Sequence, residues 1–224
     1  TQVAALASVV VRLRRLFDLD ADSRSIDAVL RRDRALAARV KARPGLRVPG
    51  AWDSFELAVR AVLGQQVSVA AATTFAGRIV EQYGQPLPEA ARMSRAPSHL
   101  FPSAAVLAHA DFAGIGLTRL RSATLHALAR AVCEEPGRLE PARSLEESVR
   151  SLAQLPGIGA WTAHYIAMRA LREPDAFPAA DLGLMRALEL AGVRPSAREL
   201  EARAAGFRPF RAYAALRLWL QPSL

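Results

Sequence analysis

The 224-residue chain holds one cysteine, Cys133, and one lysine, Lys41. A lone cysteine excludes an internal disulfide and a four-cysteine iron–sulfur cluster. With a single lysine, the other 29 basic residues are arginines, which bind phosphate bidentately but, always protonated, cannot act as Schiff-base nucleophiles. No apolar run is long enough to span a bilayer, and the first fifteen residues carry arginines in an amphipathic pattern instead of a signal-peptide layout. A soluble, cytoplasmic protein with no membrane partner is the expectation. The four histidines, His99, His109, His126 and His164, are scattered without zinc-ligand spacing. Strand-like alternation and low-complexity segments are also missing.

What remains is helical and basic. The formal net charge of +9 and pI near 11.1 favour a polyanionic partner, although a solvated arginine surface has the same composition. Apolar periodicity predicts an all-α fold, with helices near 3–17, 25–42, 54–63, 68–83, 103–110, 117–133, 144–153, 159–171, 182–191, 196–205 and 208–220. Capping-box spacing at Asp53/Glu56 and Ser144/Glu147 supports two of the starts. The main breaks are 44–50 and 85–102.

Residues 155–159 read Leu-Pro-Gly-Ile-Gly before a helical run. Glycines flanking one apolar residue allow positive φ and outward-facing amides, and amides at a helix N-terminus bind anions. For a bare Gly-x-Gly, an ordinary tight turn between helices is the favoured reading, and the context shifts it. Leu152 and Leu155 before the turn, with Ile166, Ala167 and Ala170 after it, supply the anchors of a helix-hairpin-helix, a unit that grips nucleic-acid phosphate without reading sequence. Gly114-Ile115-Gly116 faintly repeats the theme.

In the next helix, Trp161 and Tyr165 lie four apart and share a face. That face suits either core packing or a stacking wall for an extruded base. Asp181 follows an apolar, proline-containing segment and precedes a helical run, the position of an N-cap. A carboxylate at a helix start feels the positive dipole end and can also stabilise a developing positive charge. Only Glu173 and Asp175 are near it in sequence, too few for a Mg²⁺-dependent nuclease.

The hairpin, Trp161, Tyr165 and an aspartate twenty positions after Trp161 resemble the helix-hairpin-helix DNA glycosylase superfamily, and most closely its 3-methyladenine DNA glycosylase II (AlkA) family. The segments 43–50, Phe55-Glu56, 60–68 and 208–214, with Trp219, agree, so the likeness runs through essentially the whole chain. The resemblance implies two helical lobes, 1–53 plus 174–224 carrying the aspartate and 54–173 carrying the hairpin, with Asp181 looking into the cleft between them. It implies Asp181 as the catalytic residue and Trp161, Tyr165, Trp219 and Gln65 as a base pocket. Gly157, Ile158, Gly159, Thr162 and Gln66 would meet double-stranded DNA. The carbonyls of Ala153, Leu155 and Ile158 would hold a Na⁺ or K⁺, with no other cofactor required. The family's small N-terminal α/β domain is not recognised in the chain, which opens at Thr1 without methionine and suggests a segment of a larger parent.

Bifunctional relatives carry a lysine at the position of Trp161. An aromatic there implies a monofunctional enzyme that flips out an alkylated base, such as 3-methyladenine or 7-methylguanine, releases it and leaves an abasic site, acting as a monomer on nucleoid DNA in base excision repair. Such bases are cationic good leaving groups, and a single carboxylate suffices to stabilise the oxocarbenium-like sugar, while aromatic faces hold the cationic base. Two departures stand out. Gln66 occupies a position where an apolar wedge is common, and Leu182 and Leu220 occupy positions where tyrosines occur. A non-catalytic DNA-binding module and a glycosylase for oxidised or mismatched bases remain alternatives.

Overall fold

The computed structural model describes residues 2–88, 97–189 and 192–220 and is helical almost throughout. Twelve α-helices are present among these residues: α1 (Gln2–Leu16), α2 (Ser23–Leu30), α3 (Arg34–Ala42), α4 (Ser54–Leu63), α5 (Val69–Tyr83), α6 (Ala104–Leu107), α7 (Arg119–Glu134), α8 (Leu145–Ala153), α9 (Ala160–Arg169), α10 (Leu182–Ala187), α11 (Ala197–Ala204) and α12 (Arg211–Trp219). A two-residue antiparallel bridge, β1 (Gln85–Pro86) with β2 (His99–Leu100), closes the segment after α5.

The expected helix over 25–42 is two helices. Asp33 accepts hydrogen bonds from the N–H groups of Ala35 and Leu36, so its carboxylate caps a new start and the chain turns at Arg31–Asp33. The helix expected over 182–191 ends at Ala187, capped by Leu188, and residues 190 and 191 lie outside the described set. The last helix begins at Arg211, after Phe210. The caps expected at Asp53 and Ser144 form, with Glu56 and Glu147 N–H donating to them. The reciprocal capping box is at Ser196 and Glu199.

The chain separates into two compact units. The first comprises 1–52, 141–150 and 160–224, and the second 53–140 and 151–159. In the first unit α12 is the central element: Ala212, Tyr213, Ala214, Ala215 and Leu218 are all buried, and the helix packs on α3 and α10. A helix buried on most of its circumference needs partners for its polar residues. Arg217 donates to Asp27 and to the Arg43 carbonyl, and Arg211 pairs with Asp175 and Glu201. Burial pulls the Arg217 guanidinium below its usual range despite the attraction of Asp27. The Tyr213 hydroxyl donates to Asp18 at 2.8 Å, and burial followed by that bond pushes the phenol above its usual range.

In the second unit α7 packs against α4 and α6. Val59, Val62, Leu63, Ile79, Leu107, Phe112, Ile115, Leu125 and Leu128 form its buried apolar core, to which the hairpin adds Leu152 and Ile158.

Candidate active site and hairpin

Asp181 is the N-cap of α10. Its Oδ1 accepts the Leu184 N–H at 2.9 Å, as the capping reading predicts. The same carboxylate also accepts two indoles: Trp219 Nε1 donates to Oδ1 at 2.8 Å, and Trp161 Nε1 donates to Oδ2 at 2.9 Å. Three donors on one carboxylate hold it in a single orientation. Oδ1 carries two of these bonds and Oδ2 one, so Oδ2 keeps more acceptor capacity for a reacting group.

The aromatic side chains form a wall beside the carboxylate. Trp161 stacks on Tyr165 with centroids 5.4 Å apart and planes 14° apart, and Tyr165 meets Trp219 at 6.3 Å and 55°. All three rings are partly exposed, whereas Ala163, Ile166 and Ala167 on the other faces of α9 are buried. The Trp161/Tyr165 face is therefore not core. Arg169 extends the row by a further helical turn. Its guanidinium lies 5.8 Å from the Tyr165 centroid and donates to the Pro49 carbonyl at 2.6 Å. The spacing of 161, 165 and 169 held that signal.

Gly183 is required by close approach. A Cβ there would fall 2.9 Å from Asp181 Oδ1 and 3.2 Å from Trp219 Cδ1. His164 is also on α9, and its Nδ1 accepts the Phe177 N–H at 3.2 Å. Burial pulls its pKa down, opposed in part by Glu201. Glu173 shifts upward, through burial first and then the charges of Glu146 and Asp175. Of the two leucines noted in the sequence as standing where tyrosines occur, Leu182 is 61% exposed and Leu220 partly exposed.

The hairpin turn belongs to the second unit. Gly157 takes φ +81°, and a Cβ on it would lie 1.9 Å from Thr124 Oγ1, so only glycine fits. The positive φ that the glycines allow falls at Gly157 and not at Gly159. A Cβ at Gly159 would meet nothing within 4 Å, which leaves the start of α9 open to a ligand. Two of the expected DNA contacts are narrowed. The Ile158 side chain is buried and its N–H is spent on the Leu155 carbonyl at 3.0 Å, and the Thr162 side chain is buried. Helix geometry leaves the first backbone amides of α9 without intrahelical acceptors.

Gln65 and Gln66 lie in the loop between α4 and α5. The Gln65 side chain donates to the Gly157 carbonyl at 3.0 Å, and Gln66 is exposed with φ +54°. Among the described residues no group of three or more His, Cys, Asp and Glu side chains is placed to hold a metal ion, and no helix is long and apolar enough to cross a membrane.

A chain helical almost throughout, with a glycine turn before a helix and an aspartate held by two indoles beside an aromatic wall, has the features of a helix-hairpin-helix protein. Residues 59–209 match the HhH-GPD superfamily of base excision DNA repair proteins, and the chain belongs to that family, within its AlkA-like branch. Residues 1–53, occupied here by α1, α2 and α3, match the AlkA N-terminal domain. The chain is 42% identical over 214 residues to a probable bifunctional transcriptional activator/DNA repair enzyme AlkA of Mycobacterium tuberculosis, covering 96% of this chain and 42% of that protein. It is 34% identical over 217 residues to DNA-3-methyladenine glycosylase 2 of Escherichia coli, covering 95% of this chain and 71% of that one. The chain therefore spans about two fifths of the length of the mycobacterial relative. Among solved structures, a 3-methyladenine DNA glycosylase from Archaeoglobus fulgidus shares the fold, with TM-score 0.80 and 24% identity over 96% of this chain and 74% of that chain.

Proposed function

We propose that the chain is a monofunctional DNA glycosylase that removes alkylated purines of the 3-methyladenine and 7-methylguanine type from duplex DNA and leaves an abasic site. The observation that carries this reading is the double indole clamp on Asp181. A carboxylate held in one orientation beside aromatic faces suits a cationic base, which needs little acid assistance, and a sugar that becomes positively charged as the bond breaks. The proton inventory points the same way. Trp161 occupies the place where an amine would form an imine, and its N–H is engaged with Asp181.

In this reading the base leaves the stack and lies against Trp161, Tyr165 and Trp219. Asp181 Oδ2 faces the developing oxocarbenium or the water that captures it. Backbone amides at Gly157 and Gly159 hold a phosphate, and Gln66 enters the duplex where the base has left. The hairpin carbonyls of Ala153, Leu155 and Ile158 would hold a Na⁺ or K⁺, which supplies positive charge toward a phosphate. The set fits in donor type, since Leu155 O accepts one N–H and a carbonyl has two lone pairs.

Incubating the chain with methylated duplex DNA tests the reading. Free methylated purine, with strand breaks only after alkali, is the expected result. Breaks before alkali, or tight DNA binding with no base release, would refute it.

A further inference from the structure

We infer that Arg121 is a positioning residue that holds the Gln66 loop and the hairpin in fixed register; the inference rests on the proposed role of Gln66 as the group that fills the duplex. Its basis is a small network within the second unit. Arg121 Nη2 donates to the Gln65 carbonyl at 2.6 Å, and the guanidinium lies over Phe75, 5.8 Å from its centroid. Gln65 Nε2 in turn donates to the Gly157 carbonyl. Three residues along the same face of α7, Thr124 is buried and abuts Gly157.

The carbonyl that Arg121 grips belongs to the peptide unit that carries the Gln66 N–H. Because that unit is planar, orienting its oxygen sets the plane from which Gln66 φ is measured. Gln66 holds a left-handed conformation at +54°, which is unfavourable for a non-glycine residue and persists only where its surroundings over-determine it. One turn of α7 therefore supports both elements: Arg121 fixes the loop that delivers Gln66, and Thr124 seats the turn that holds phosphate. Lysine would supply a point charge without the planar face that stacks on Phe75.

The test uses the full chain and a duplex with 2-aminopurine at the target position, read by fluorescence, beside single-turnover release of methylated purine. Arg121→Met should reduce extrusion and release on the order of tenfold, as a small misplacement of a positioning group does. Affinity for undamaged duplex should stay within about twofold, because phosphate contacts are retained, and Arg121→Lys should recover part of the loss. Gln66→Ala should cause a similar loss that is not increased in the double variant. If Arg121→Met does not fold, Phe75→Leu, which removes the ring beneath the Arg121 guanidinium, carries the same test of non-additivity. Additive losses, unchanged extrusion, or a matching fall in duplex affinity would overturn the inference. A parent chain that extrudes 2-aminopurine but releases no methylated purine would refute the glycosylase reading and leave the role of Arg121 standing; one that extrudes nothing overturns both.

Discussion

The Trp219 indole donates to Oδ1 of Asp181 at 2.8 Å, while Trp161 occupies Oδ2 from the other side. Asparagine cannot satisfy this pair, because one of its two terminal atoms is a donor and would face an indole N–H. Asp181→Asn is therefore expected to lose base release by about 10²–10³-fold, with duplex affinity kept within about threefold. A change in tryptophan fluorescence should accompany it as one indole loses its acceptor. Unaltered release kinetics would refute this account.

Gly183→Ala separates stability from activity. Alanine improves the helix by about 1 kcal/mol, but its Cβ would crowd Asp181 Oδ1 and the Trp219 ring. The gain in helix propensity and the crowded N-cap oppose each other, so the melting temperature should change by no more than a few degrees while single-turnover release falls at least about tenfold. A variant as fast as the parent would show that the carboxylate has room to move.

His164 gives a pH dependence to stability. Its folded pKa lies below the ordinary value of 6.5 because the ring is buried. As pH falls through 6.5 the unfolded chain takes up the proton first, so its contribution is present above that value and is lost progressively toward the folded pKa. Urea midpoints measured from pH 8 to pH 5 should drop less steeply for His164→Gln than for the parent. Parallel curves would remove His164 as the cause.

The buried pair of Arg217 and Asp27 should be costly to break. Asp27→Ala leaves a guanidinium in the core and is expected to cost about 3–5 kcal/mol, whereas Asp20→Ala, which breaks the exposed pair with Arg14, should cost about 1 kcal/mol or less. Replacing both buried partners with apolar residues should recover much of the loss. Chemical denaturation of the four chains decides the matter.

Local chemistry made parts of the site legible in the sequence. Trp161 and Tyr165 share a face because four residues make about one helical turn, and Asp181 is a cap because aspartate precedes a helical run. The bond from Trp219 to Asp181 spans 38 residues, and no periodicity encodes it; only the resemblance placed that ring in the pocket. The same resemblance places Gln65 in the pocket, and no sequence pattern announces its amide bond to the Gly157 carbonyl 92 positions away. The break between α2 and α3 was hidden because helical periodicity continues across it, although Asp33 is a good cap. The buried arginines escaped notice because charge alone does not tell a solvated side chain from one that satisfies carbonyls in a core.

The network around Arg217 also orders events in time. Asp27 and Arg217 are 190 positions apart, and the Arg43 carbonyl that shares the guanidinium is 174 positions away. The first three helices therefore leave the ribosome long before the residue that neutralises Asp27 has been made. Most of the second unit, residues 53–140, is continuous and can close over short loops, which favours its early formation. Release of the last helix then completes the first unit, and with it the wall in which Trp219 meets Asp181.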